Sequence, residues 1–149
     1  MTVTATLSQR AEIATVAPDR LPSVVGELMR TGGRMQMAYA RYAAGGQIEL
    51  RYVASRDQQK EFVIWRCLPS GPVPSVAGIC PLLGWYEREI ADLFGVEFRG
   101  HPEPYRLVLQ HGVHPVAPPM TPAYPKDVIV PFAPENGDNR PGETIDVTV

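Results

Sequence analysis

The chain has 149 residues, of which 44% are hydrophobic and 20% charged, a size and balance that support one core and not two. Its formal net charge of −2 argues against a nucleic-acid partner, because phosphate binding wants a concentrated basic surface. No apolar run approaches the ~18 to 20 residues that cross a bilayer, and the start of the chain lacks the basic segment and apolar core of a secretion signal, so any membrane association is expected to be borrowed from a partner.

Residues 1–18 are rich in Thr and Ala without a firm period and read as a flexible leader. A helix is expected from Asp19, a candidate cap, through Arg30. Pro22 suits its first turn, Leu21, Val24, Val25 and Leu28 make one stripe, and Gly32-Gly33 stops it. Alternation then replaces the helical period. Met35, Met37 and Tyr39 are expected on one face of a strand, Ala43 to Gly46 in a turn, and Ile48, Leu50 and Tyr52 on one face of the next strand. At strand spacing Met35 and Met37 read as core or half-buried positions rather than as a soft-metal or adaptable binding stripe. A polar turn from Arg56 to Lys60 leads to a third strand, Phe62 to Leu68, which completes an antiparallel meander.

Cys67 and Cys80 stand thirteen positions apart with no Cys-x-x-Cys pair. An iron–sulfur cluster normally takes four thiolates, so this chain cannot supply the usual ligand set, and both residues read as buried free thiols. The segment Pro69 to Pro74 cannot be a central strand, since proline removes a ladder donor.

Charge and apolar periodicity interleave most tightly from Trp85 to Pro102. Tyr86, Ile90, Leu93 and Phe94 fall on one helical stripe, with Gly84 as N-cap and Gly95 as the stop. Glu87 then occupies the third helical position, where free amides and the helix dipole meet its carboxylate. Glu89 projects between Trp85 and Leu93, inside the apolar arc, and is expected to be a buried carboxylate held by a cation or by backbone amides. Arg88 and Asp92 project together on the polar flank. Perturbed carboxylates gather at functional sites, yet a lone Glu with no assigned partner suits a structural ion pair better than a general acid.

Beyond Gly95 the chain reads as extended from Phe98 to Arg106, a short strand or an arm lying on the domain. His101, between Gly100 and Pro102, suits a turn and hydrogen bonding. His111 and His114 resemble half a metal site, but no further ligand follows at usable spacing, so they read as loop histidines. From Gly112 to Val149 there are eight prolines in thirty-eight residues, a composition that cannot build its own core and suits an extended arm lying along a partner. The expected fold is α+β: a small antiparallel sheet of three or four strands with helices packed on one face, covering residues 19–111, followed by a Pro-rich arm over 112–149.

Trp85, Glu87-Arg88-Glu89, Asp92-Leu93-Phe94-Gly95, Phe98 and Gly100-His101-Pro102 together resemble the motif of the thirty-kilodalton subunit of respiratory complex I, the NADH dehydrogenase of the respiratory chain. The same family takes in the related subunit or domain of membrane-bound hydrogenases and formate hydrogenlyases. Val73-Pro74-Ser75-Val76 and Ile79 stand where that family has a Pro-Ser-Val segment, and the resemblance covers residues 20 to 112. It implies an α+β fold and a chain that holds no cofactor, catalytic group or metal itself. Iron–sulfur clusters and quinone, or a nickel–iron centre, would then sit on other subunits. The implied partners are the large subunit, of forty-nine-kilodalton or hydrogenase type, and the iron–sulfur subunits, on the cytoplasmic face of the membrane. Two departures are visible. His114 to Pro119 replaces the family's Pro-Leu-Arg-Lys-Asp-Phe type segment, which puts the docking contact of its basic pair in doubt. The ending from Val128 to Val149 looks more like the linker of hydrogenase fusions. Two other readings stand beside this one: a regulatory module presenting the Pro-rich arm, and a stand-alone enzyme using Glu87 or Glu89 as acid or base.

Overall fold

The computed structural model describes residues 11–56, 61–109, 117–122 and 124–125. In chain order the elements are β1 (Ala11–Thr15), a 3-10 turn (Pro18–Arg20), α1 (Leu21–Arg30), β2 (Arg34–Tyr42), β3 (Ile48–Arg56), β4 (Glu61–Cys67), β5 (Val73–Pro74), α2 (Pro81–Phe94) and β6 (Phe98–Arg99). The meander is present, with β2, β3 and β4 paired antiparallel. The sheet order is β1-β4-β3-β2, and β1 runs parallel to β4 from Ala11 opposite Phe62 to Thr15 opposite Arg66. The sheet is therefore mixed, and residues 11–15 of the expected leader are its fourth strand. A second, two-stranded sheet pairs β5 with β6 in parallel and ties the chain after α2 to the chain before it.

Both helices lie on one face of the large sheet. Leu50 and Tyr52 of β3 and Val63, Trp65 and Cys67 of β4 form the inner layer, closed by Leu21, Val25 and Leu28 of α1 and by Leu83 and Ile90 of α2. Each such aliphatic side chain contributes roughly 1.5 to 3 kcal/mol by leaving water. Cys67 and Cys80 are both buried free thiols, and burial pushes the Cys67 thiol up to about 11.

Four local expectations are corrected. The pairing in β2 shifts between Met35 and Met37, so a bulge at Gln36 puts Met35 inside and Met37 outside, with Ala38 taking the next inner position. Asp19 does not cap α1; it lies in the 3-10 turn, and Arg20 holds the N-cap position. Helix α2 begins at Pro81, with Cys80 before it, rather than at Trp85. The extra turn brings Leu83 into the helix, and the buried face holds Leu83, Glu87 and Ile90. Gly95 does end α2, in the left-handed conformation with φ of 73°; a Cβ there would also stand 2.6 Å from Pro118 Cγ. The Pro-rich arm also departs from expectation. Pro118 packs on the end of α2, and the Met120 amide donates to the Leu93 carbonyl at 2.9 Å, so this part of the arm lies on the domain. His111, His114 and residues 126–149 fall outside the described residues.

Candidate functional site

The motif residues of α2 converge on the backbone that flanks the helix. Glu87 has no exposed surface. One of its oxygens accepts the Val76 amide at 2.9 Å and the other accepts the Ser75 hydroxyl at 2.5 Å, while the Ala77 amide donates to Ser75 Oγ at 3.1 Å. The carboxyl thus organises the turn that leads into α2. Burial raises its pKa, against the opposing pull of Ser75, Val76 and His101. The Tyr52 hydroxyl is also buried, with no hydrogen bond of good geometry, and burial together with the nearby Glu87 carboxylate drives its pKa well above the ordinary tyrosine value.

His101 closes the same corner from the other side. Its Nδ1 accepts the Glu103 amide at 2.9 Å, which leaves the proton on Nε2, 3.1 Å from the Gly84 carbonyl and 3.9 Å from Glu87. Gly84 makes this approach possible: a Cβ would lie 3.2 Å from the Ala77 side chain and 3.4 Å from His101 Nε2.

Arg88 and Asp92 hold the chain further on. The Arg88 guanidinium, buried and 5.6 Å from the Trp85 ring, donates to the carbonyls of Tyr105 at 2.8 Å and Arg106 at 3.0 Å. Asp92 Oδ2 accepts three successive amides, from Leu107 and Val108 at 2.8 Å and from Leu109 at 3.2 Å. Arg88, Asp92 and His101 therefore form a clasp that fastens the strap of residues 101–109 along α2, while Glu87 holds the turn before the helix.

Glu89, expected to be the buried carboxylate, is exposed, and Glu87 is the buried one. Trp85 is exposed as well, Leu93 and Phe94 are half-buried, and the Phe94 ring lies 5.8 Å from Tyr42. Phe98 sits in β6 opposite Val73; Gly100 makes the turn after it, with φ of 74°, and Pro102 is exposed. Sequence reasoning missed Ser75 as a partner of Glu87. It also missed a cluster on the opposite side of the sheet, where Arg41, Arg51 and Arg66 surround Glu49. The signal for that cluster was present as charged residues at alternate positions of the strands.

A mixed four-stranded sheet with two helices on one face, and a helix motif whose Glu87, Arg88 and Asp92 bond the chain's own backbone, define a small α+β module. The chain belongs to the family described as the respiratory-chain NADH dehydrogenase 30 Kd subunit, whose model matches residues 14–127. It is 60% identical over 37 residues to the C/D-type subunit of NADH-quinone oxidoreductase from Chromohalobacter salexigens, a stretch that is 25% of this chain and 6% of that protein. It is 50% identical over 42 residues to the C-type subunit of NADH-quinone oxidoreductase from Phenylobacterium zucineum, covering 28% of this chain and 20% of that one. These matches span a small fraction of the relatives' length. Among solved structures it is similar to a chain of the membrane-bound sulfane sulfur reductase, an archaeal respiratory membrane complex, with a TM-score of 0.54, 25% identity, and coverage of 62% of this chain and 59% of that one.

Proposed function

We propose that the chain is a structural and assembly subunit of a membrane-associated respiratory oxidoreductase, of NADH:quinone oxidoreductase or related hydrogenase type. In this reading it carries no cofactor of its own and packs beside the large subunit of the peripheral arm, on the cytoplasmic face. The iron–sulfur clusters and the quinone or nickel–iron site belong to other subunits. The observation that carries the reading is where the motif's polar groups go: Arg88 and Asp92 spend their charge, and Glu87 a carboxyl oxygen, on the chain's own backbone. The family match and the archaeal respiratory complex support the same assignment. Among the described residues no helix is long and apolar enough to cross a membrane, so attachment would run through partner chains.

A stand-alone acid–base enzyme fits the geometry poorly. Glu87 is sealed beneath α2 and Glu89 projects to solvent, so the two carboxyls do not face one site.

Affinity purification of the chain, tagged at its own locus, from mildly solubilised membranes tests the proposal. The expected outcome is stoichiometric recovery of a large subunit with nickel-ligand or quinone-site character and of iron–sulfur subunits, while the isolated chain is colourless and does not oxidise NADH. Recovery of the chain alone, or tightly bound iron or flavin in the desalted chain, would overturn it.

A further inference from the structure

The strand registers place the outward-facing side chains of the large sheet in rows. One row crosses all four strands: Ile13 lies opposite Ile64, Ile64 opposite Val53, and Val53 opposite Met37. It is apolar throughout, with Ile13 58% and Met37 38% exposed. The next row reads Thr15, Arg66, Arg51, Tyr39, and beyond it Arg41 faces Glu49. Successive rows are two residues apart along each strand, roughly 7 Å. Both helices pack on the other face, and among the described residues no element covers this one.

The basic rows carry an unbalanced charge. Arg51, Arg66 and Arg41 lie 2.6, 2.8 and 3.3 Å from the one carboxylate of Glu49. Three guanidinium groups thus share a single negative charge, and Arg51 and Arg66 stand directly opposite each other across the β3–β4 pair, an arrangement that repels unless an anion is shared. Glu49 is 2% exposed because these side chains roof it. The roof is itself open: the Arg41 side chain is 50% and the Arg66 side chain 39% exposed. Arg66 Nε is itself buried beside Glu49, so this nitrogen braces the carboxylate while the exposed part of the side chain faces outward. Arginine donors with a surplus of two positive charges, held in place by a buried carboxylate, are suited to receiving another carboxylate in bidentate fashion.

We propose that this open face of the sheet docks a segment of another protein chain that presents an Asp or Glu to the arginine cluster and apolar side chains to the adjoining row. The inference deepens the subunit reading above and rests on it, since it names the surface and the chemistry of the partner. A protein segment fits better than an anionic lipid surface, because the arginines are braced around Glu49 at fixed spacing from a flat apolar row, whereas membrane-binding residues work as mobile, protruding charges.

The test uses the full chain expressed at its own locus, with Arg41→Glu/Arg66→Glu compared with Arg30→Glu, a charge reversal on the exposed side of α1. In preparations whose melting curves show a folded chain, the double variant is expected to recover roughly tenfold less of the large subunit than the parent, and Arg30→Glu as much as the parent. Because reversal beside Glu49 can unfold the sheet, a benzoyl-phenylalanine photoprobe at Met37 supplies an independent readout. It is expected to cross-link a partner peptide in which Asp or Glu adjoins apolar residues. If a folded double variant keeps its partners, or the probe marks a peptide with no acidic residue, the docking inference is overturned while the subunit reading stands. If the parent chain recovers no partner, the subunit reading fails and the inference with it. Arginine-dependent sedimentation with phosphatidylglycerol vesicles, or lipid labelled by the probe, would make the face a membrane surface and overturn the protein-docking inference.

Discussion

Replacing Glu87 by alanine is expected to lower the unfolding free energy by about 3 kcal/mol, whereas Glu89→Ala should stay within about 0.5 kcal/mol of the parent. The first change strands the Val76 amide and the Ser75 hydroxyl in a buried corner and leaves a cavity under α2. The second removes a carboxylate from an exposed surface. Urea unfolding of the two variants decides the matter, and equal losses would contradict the assignment. The pH dependence follows from the same site. Burial holds the folded pKa of Glu87 above its ordinary 4.5, so the native state keeps a proton that the unfolded chain has already released. Stability from this group is complete below the unfolded value and declines as pH rises through the folded one. Glu87→Gln has no such proton to lose, so its stability relative to the parent should rise from acid to neutral pH. A constant gap across that range would mean that the carboxyl titrates alike in the folded and the unfolded chain.

The second expected result is strong non-additivity between Arg88 and Asp92. Each single alanine variant should cost about 2 to 3 kcal/mol, since each breaks two or more charge-assisted bonds to backbone. Both residues fasten the same strap, Arg88 at residues 105 and 106 and Asp92 at 107 to 109. Once one fastening is lost, the strap can move into water and take its carbonyls and amides with it, so the second loss costs little. The double variant should therefore fall well short of the sum, with a coupling of about 1 to 2 kcal/mol. Simple addition in a double-mutant cycle would mean that the two residues hold independent pieces of structure.

Much of the fold could be read from periodicity. The stripe of Leu21, Val25 and Leu28, the face shared by Leu50 and Tyr52, and the stop at Gly95 are all in place. What escaped depended on distant or single-residue causes. Residues Ala11 to Thr15 have one large apolar side chain among five, and they form a strand because β4 offers them an edge far along the chain. The bulge at Gln36 reverses the faces after it with no glycine to announce it. The clasp was legible as a set of residues and misjudged in its roles. At about 100° per residue Glu87 lies in line with Leu83 and Ile90, and Leu83 joins the helix only because α2 starts at Pro81, whereas Trp85, beside which Glu89 is expected, is exposed. The partners of Arg88 and Asp92 are main-chain groups fifteen or more positions away, and main-chain partners leave no mark on side-chain pattern.

The parallel pairing of β1 also sets the domain's sequence of events during synthesis. Ala11 leaves the ribosome fifty-one residues before Phe62, the residue it must lie against. β2, β3 and β4 can join through neighbouring antiparallel connections, while β1 has to close a loop over α1 and the whole meander, an entropic cost that is repaid only when those elements stand. Until then Ile13 has no strand beside it. In the finished domain the β1 amides should exchange with solvent ahead of those in β3, and simultaneous exchange would mean that the sheet opens as one unit. The first strand of the sheet to be made thus waits for the fourth, and the growing chain carries it unpaired until β4 has emerged.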